Sequence, residues 1–205
     1  SSDADTVEVK YVGDGSDTED LEEFSIEVKQ LSSPQINRGN FLKNDGLSFT
    51  PGTYTFDLQT NNSSYEFQYT VNNAETNLYV MKKIAGLVNR SNLGLGATIR
   101  PGSEKAGNAD SSALVLTSRQ SGRSDMNKHL FEITPGTSAD AIRAMDLLGI
   151  NQITKEAENS VFAFNGETFS SLSNNFTINN IFDLSLKKVS EEGQPAHISF
   201  KNDVE

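Results

Sequence analysis

The sequence has no cysteine, no tryptophan and two histidines in 205 residues. Without cysteine there is no disulfide framework, thiolate metal site, iron–sulfur cluster or cysteine nucleophile. His129 and His197 leave little for a zinc site or a histidine-based triad. Positive charge is scarce: 17 Lys and Arg against 28 Asp and Glu give a formal net charge of −11. That is the wrong sign for binding a phosphate backbone or an anionic membrane surface, so neither nucleic acid nor membrane is an expected partner. Apolar runs extend for only a handful of residues, well short of the ~20 that cross a bilayer. The chain opens on Ser1-Ser2-Asp3 with no methionine and no signal-peptide pattern, so it is expected to be a piece of a longer protein. A cysteine-free composition suits work outside a bacterial cell.

What remains is polar but foldable. Hydrophobic residues make up 35% and charged residues 22%, enough for a core and too ordinary for global disorder. Ser, Thr and Asn total 59 residues, with 15 Gly. These side chains compete for backbone hydrogen bonds and favour turns and caps, which points to a β-rich fold with many loops.

Alternation marks the strands. Thr6 to Val12 and Phe24 to Leu31 alternate on either side of a turn at Asp14-Gly15-Ser16-Asp17, which suggests a long hairpin. Nine acids and one base, Lys10, fall in residues 1–23. Their spacing is not that of an EF-hand, and a solvated acidic turn is the plain reading. Residues 32–44 read as a connection. Gly52 to Thr60 and Tyr65 to Val71 form a hairpin about Asn61-Asn62-Ser63. Leu78, Met81, Ile84/Ala85 and Val88 recur at helical spacing, with Asn73 or Thr76 as N-cap and Asn92 and Gly94 as stop. Two further strands, Ala97 to Arg100 and Ala113 to Ser118, make residues 46–118 a β-β-α-β-β unit. A strand over His129 to Thr134 precedes a capped helix starting at Thr137-Ser138-Ala139-Asp140, with Ile142, Met145 and Leu148 as its apolar stripe and Gly149 as its stop. Asn165-Gly166 is a strong type I′ hairpin signal between Ser160 to Asn165 and Glu167 to Leu172. Leu184 to Val189 and Ala196 to Lys201 alternate as a closing pair.

No motif reaches a catalytic constellation. Gly94-Leu95-Gly96 follows a helix instead of opening one, so no helix N-terminus is there for a phosphate. Ser185 and Lys188 fit S-x-x-K but fall on opposite faces of an alternating strand. No catalytic, metal or cofactor-binding residue is expected, and the chain does not read as an enzyme.

Four segments, taken in order, resemble the middle, surface-exposed part of the bacterial flagellar filament-capping family, the hook-associated protein 2 family. Phe24 to Leu31 is similar to its early strand through Ile26, Val28, Gln30 and Leu31. Ile84-Ala85-Gly86-Leu87-Val88-Asn89, running into Gly96-Ala97-Thr98-Ile99, resembles a stretch in which Asn89 and Ala97 carry the match. Leu114 to Ser118 with Gly122 resembles the next. Leu148-Gly149, then Ala157 to Asn165 with Phe162 and Gly166, then Ser173-Asn174 and Ile178, resemble the last. Departures include Ser160 for a small Ala and Leu172 for an Arg.

The resemblance implies a mainly β (α+β) fold of two compact β-rich domains, one inserted into the other, each with about one short helix. The outer domain would take 1–40 plus 130–205 and the inserted one 41–129. The family's terminal coiled-coil helices have no heptads here to match. The implied function is structural: subunits form a small ring, an annular plate at the extracellular tip of the flagellum, which caps the filament and promotes folding and insertion of flagellin. The implied partners are therefore a second copy of the chain and flagellin. One alternative is an adhesin for host mucin glycans, with Tyr54 and Tyr65 as stacking rings on the 52–71 hairpin. The other is an outer domain of flagellin itself.

Overall fold

A computed structural model of the chain describes residues 2–13 and 23–199. The expected turn at Asp14-Gly15-Ser16-Asp17 lies outside the described residues. In chain order the elements are α1 (Ser2–Thr6), β1 (Val7–Tyr11), β2 (Phe24–Gln30), β3 (Pro34–Arg38), β4 (Leu42–Lys43), β5 (Gly52–Thr60), β6 (Ser64–Val71), α2 (Asn77–Ser91), β7 (Leu95–Pro101), β8 (Ser111–Ser121), β9 (Phe131–Pro135), α3 (Ala139–Leu148), β10 (Ser160–Phe164), β11 (Glu167–Ser171), β12 (Asn175–Ile178), β13 (Phe182–Leu186) and β14 (Ala196–Ile198). Among the described residues strand far outweighs helix, which makes this a mainly β molecule.

The chain divides into two units. The first comprises Ser1–Ser33, Ser121–Ser124 and Glu158–Glu205; the second comprises Pro34–Gln120 and Asp125–Ala157. Apart from the short Ser121–Ser124 segment, the boundaries fall at 33/34 and 157/158, whereas the sequence suggests 40/41 and 129/130. The physical reason is the core of the second unit. Ala144, Met145, Leu148 and Ile150 pack in one cluster with Phe56, Leu58, Leu114 and Phe131, so α3 cannot be assigned to the other unit.

The first unit holds two sheets, ordered β1-β13-β12 and β11-β10-β2-β14. Rings join them: Phe24 of β2 lies 5.4 Å from Phe182 of β13, and Phe162 of β10 stacks 4.6 Å from Phe176 of β12. Ile26 and Val28 are fully buried between the sheets, each contributing about 1.5–3 kcal/mol by leaving water. The expected β1–β2 hairpin does not form. β1 pairs with β13 instead, Val7 opposite Leu186. Residues 12–23 are too long a connection to fix a hairpin register, and β13 offers a matching half-buried face. Nor do β13 and β14 pair with each other. Ser190 crosses to β2, its N–H donating to the Val28 carbonyl at 2.8 Å and its hydroxyl accepting from the Val28 N–H at 2.9 Å. That crossing seats Ala196 opposite Ile26. The hairpin at Asn165-Gly166 is present, with φ of 49° and 84°.

The second unit also holds two sheets: β6-β5-β9, and a second in which β8 pairs with β3, β4 and β7. The β-β-α-β-β order over 46–118 is present as β5-β6-α2-β7-β8. Its strands nevertheless fall in different sheets, which β9, β3 and β4 complete from outside that span. α2 buries Val80, Met81, Ile84, Ala85 and Val88; Thr76 accepts from the Tyr79 N–H as N-cap, and Asn92 (φ 58°) ends the helix. α3 is capped by Ser138 and stopped by Gly149. Its buried face is Ala141, Ala144, Met145 and Leu148, whereas Ile142 is 44% exposed.

Mixed polarity with Pro34 and Gly39 makes residues 32–44 read as a connection, yet Pro34–Arg38 is a strand, β3, with an inverted pattern. Gln35 and Asn37 are fully buried and Ile36 is half-buried on the other face. The buried face carries amides where the usual pattern puts apolar residues.

Candidate functional site

The residues singled out by the sequence serve the interior of each unit. Ile26, Val28 and Phe162 are core; Leu31 is half-buried against the same cluster. The polar members share a device. A carboxamide carries an acceptor oxygen and a donor nitrogen, spaced like the C=O and N–H of a peptide, so it can stand in for a piece of neighbouring strand.

Asn89, near the end of α2, uses it on Ala97 of β7: its Nδ2 donates to the Ala97 carbonyl at 2.9 Å and its Oδ1 accepts from the Ala97 N–H at 2.7 Å. Asn174 does the same to Ser32, accepting from its N–H at 2.7 Å and donating to its carbonyl at 3.1 Å. Asn159 accepts from the Arg123 N–H at 2.6 Å and donates to its carbonyl at 3.0 Å. Gln30 donates to the Asn159 carbonyl at 2.7 Å. The abundance of Asn is thus partly structural, with side chains finishing hydrogen bonding where short strands run out.

The remaining motif residues serve the same scaffold. The Ser118 hydroxyl accepts from the Gln35 N–H at 2.9 Å and donates to the Gln120 carbonyl at 2.6 Å. The Ser173 carbonyl accepts from the Ser160 hydroxyl at 2.9 Å. Gly149 caps α3 and Gly166 completes the β10–β11 turn. Gly122 has φ +71°, and a Cβ there would stand 2.6 Å from the Leu172 carbonyl and the Asn159 Oδ1. Only glycine meets both conditions.

Sequence reading missed the most heavily bonded amide, Gln35. Its Oε1 accepts from the Leu130 and Phe131 N–H groups at 2.9 and 3.3 Å, and its Nε2 donates to the Phe131 carbonyl and to the Asn37 Oδ1, both at 2.9 Å. Asn37 in turn donates to the Ile150 carbonyl at 3.0 Å. The signal was present as two amides spaced by two residues beside Pro34, but it reads as loop unless an amide is allowed to face a core.

The two rings offered for sugar stacking are not brought together. Tyr54 is 5% exposed, stacked 5.4 Å from Tyr69, with its hydroxyl donating to the Thr50 carbonyl. Burial, then the charge of Asp140, pushes its phenol pKa up; burial pushes that of Tyr69 higher still. Tyr65 is 40% exposed and lies opposite Leu58, away from Tyr54 along the strands. The proposed pair is corrected on this point, since a buried ring cannot stack on a ligand.

Titratable groups are spread out. His129 sits beside Glu156, Nδ1 to Oε1 2.7 Å, before β9 begins. Glu75 bonds Lys83 at 2.8 Å, and that bond holds its carboxyl below the usual range. Among the described residues no three His, Asp or Glu side chains are grouped to hold a metal ion, and no helix is long and apolar enough to cross a membrane.

One consequence of the clamps can be measured directly. Asn174→Ala leaves the Ser32 N–H and carbonyl without their partner, and the first unit should lose about 1–3 kcal/mol. The loss should appear as faster amide exchange at Ser32. Unchanged exchange there would mean that the clamp carries no stability.

No family model and no curated protein sequence matches this chain. Solved structures do. The D2-D3 domains of the flagellar cap protein FliD from Serratia marcescens align over 95% of this chain and all of that one, with a TM-score of 0.69 and 14% identity. FliD from Bdellovibrio bacteriovorus aligns over 96% of this chain and 97% of its own, with a TM-score of 0.61 and 16% identity. The D1-D2-D3 domains of FliD from Escherichia coli align over 96% of this chain and 57% of that one, with a TM-score of 0.66 and 15% identity. The chain therefore has the fold of the middle domains of flagellar cap proteins.

Proposed function

We propose that this chain is the outer plate of a bacterial flagellar filament cap. The observation that carries the reading is the correspondence of both units, end to end, with the D2-D3 domains of flagellar cap proteins. It agrees with the order of the sequence segments, among which Asn89, Ala97, Gly122 and Asn174 have the backbone roles described above. Copies of the chain assemble head to tail into a small ring at the extracellular filament tip. Exported flagellin is retained beneath the plate, folds there and is inserted into the growing end. That work is steric and interfacial, so the chain needs no catalytic group. An acidic, Asn- and Ser-rich surface keeps an exposed plate soluble. The discontinuous unit and the unit inserted into it are its two plate domains.

The test is made on cells. Deleting the parent gene is expected to release monomeric flagellin into the medium and to leave hooks without filaments. Normal filaments after deletion would overturn the reading, and normal filaments with lost surface attachment would favour an adhesive module.

A further inference from the structure

In a chain of net charge −11, one sheet face is basic. It belongs to the second unit and lies on the side of the β3/β8/β7 sheet away from the core. Alternation dictates this: Leu114 and Leu116 of β8 point inward and are fully buried, so Val115 points outward. Thr98 of β7 is its register partner, and β3 brings Ile36 and Arg38 alongside. Lys155 is fixed by a backbone bridge to Ile36. The result is a shallow groove with Ile36 and Val115 half-buried at its centre, rimmed by the exposed Arg38, Arg100 and Lys155, with no carboxylate in its lining. Among the described residues none of these three cations has a salt bridge; Arg38 instead lies 5.9 Å over the Phe41 ring.

The same chain carries a complement. Residues 14–23 hold six acids (Asp14, Asp17, Glu19, Asp20, Glu22, Glu23), no base and a single large apolar residue, Leu21. We infer that the groove of Ile36, Arg38, Arg100, Val115 and Lys155 receives the acidic segment 14–23 of a second copy of this chain. The lone Leu21 matches the apolar Ile36–Val115 centre in character, and the six acids match the three cations in charge. Donor and acceptor are different surfaces, so the contact is heterologous and propagates head to tail, as a closed ring requires. The inference rests on the ring reading above and names its contact.

The absence of cysteine makes the test clean. Lys155→Cys and Asp20→Cys versions of the 205-residue chain, each with one thiol, are mixed under mild oxidation. The mixed dimer should form about tenfold faster than either like dimer. The preference should vanish at ~1 M salt, where screening acts within about 3 Å. Arg38→Glu with Arg100→Glu on the Lys155→Cys chain should abolish it. Changing Asp17 and Glu19 to Lys on the Asp20→Cys chain should then restore it, a rescue that misfolding cannot produce. A mixed dimer no faster than the like dimers overturns the inference. So does a chain carrying both cysteines that closes on itself at high dilution. If the preference is absent while gene deletion still releases flagellin, the contact is wrong and the cap reading stands. If the preference is present while deletion leaves filaments intact, the contact is real and the ring is not a filament cap.

Discussion

Replacing Gln35 with alanine is expected to destabilise the second unit by about 4 kcal/mol, a large share of the ~5–15 kcal/mol a domain possesses. Gln35 is fully buried, and its amide is the partner of the Leu130 and Phe131 N–H groups, the Phe131 carbonyl and the Asn37 Oδ1. Alanine strands all of them in the core and opens a cavity besides. Denaturant unfolding of the variant, with the midpoint and slope compared to the parent, reads the loss. A loss under about 1 kcal/mol would mean that water or relaxation fills the site, and the network would not be the support argued here. Gln35→Glu supplies a direction in pH. Its buried carboxylate cannot donate to the Phe131 carbonyl, and burial raises its folded pKa above the unfolded value. The neutral acid is then the favoured folded form. Its stability is fully present below the unfolded pKa and is lost as pH rises through the folded one. This variant should therefore be more stable near pH 4 than near pH 8 relative to the parent.

The second large effect is expected from Gly39→Ala. A Cβ at Gly39 would stand 2.3 Å from the Leu148 carbonyl and 2.8 Å from the Leu114 carbonyl. Both are backbone and cannot rotate away. The Gly39 N–H already donates to Leu114 at 2.8 Å, and the next residue ties down the end of α3: Asn40 N–H donates to Leu148, and its Nδ2 to Asp146 and Leu147. The methyl group must push β8 and α3 apart across a packed core. A cost of about 3 kcal/mol follows, or roughly 10 °C in Tm for a unit of this size. Calorimetry decides it, and a shift of less than about 2 °C would mean that α3 has slack the geometry does not suggest.

These two residues also mark where the sequence stops being legible. Both β hairpins at Asn61-Asn62 and Asn165-Gly166 are local signals, written in turn residues and alternation, and both are present. The helix caps at Thr76 and Ser138 are likewise local. β3 was not legible, because its buried face is polar and its two amides are satisfied by groups far away in the chain. The partners of β1 and β13 were not legible for a different reason. Alternation tells which side of a strand is buried, never which strand lies beside it. For the candidate site the split is similar. Asn89 and Asn174 stood out by resemblance to a family, while what they do, closing a peptide-like pair of bonds on Ala97 and Ser32, needed coordinates. Of the glycan pair, Tyr54 fails on burial, since it shares its face with Phe56 and that face is core, whereas Tyr65 is exposed.

The division of the chain bears on the order in which it folds. Every element of the second unit comes from residues 34–157, so its core can assemble from moderately local contacts. The first unit has no such option: Val7 must find Leu186, and Ile26 must find Phe164. Closing loops of that length in a random coil costs entropy before any contact repays it, and non-local pairings are slow to form. Once the inserted segment has folded, Ser33 and Glu158 are no longer the ends of a long random coil, which lowers the entropy cost of closing their bridge. The inserted unit is therefore expected to fold before the discontinuous one, with the long-range β1–β13 pairing forming last.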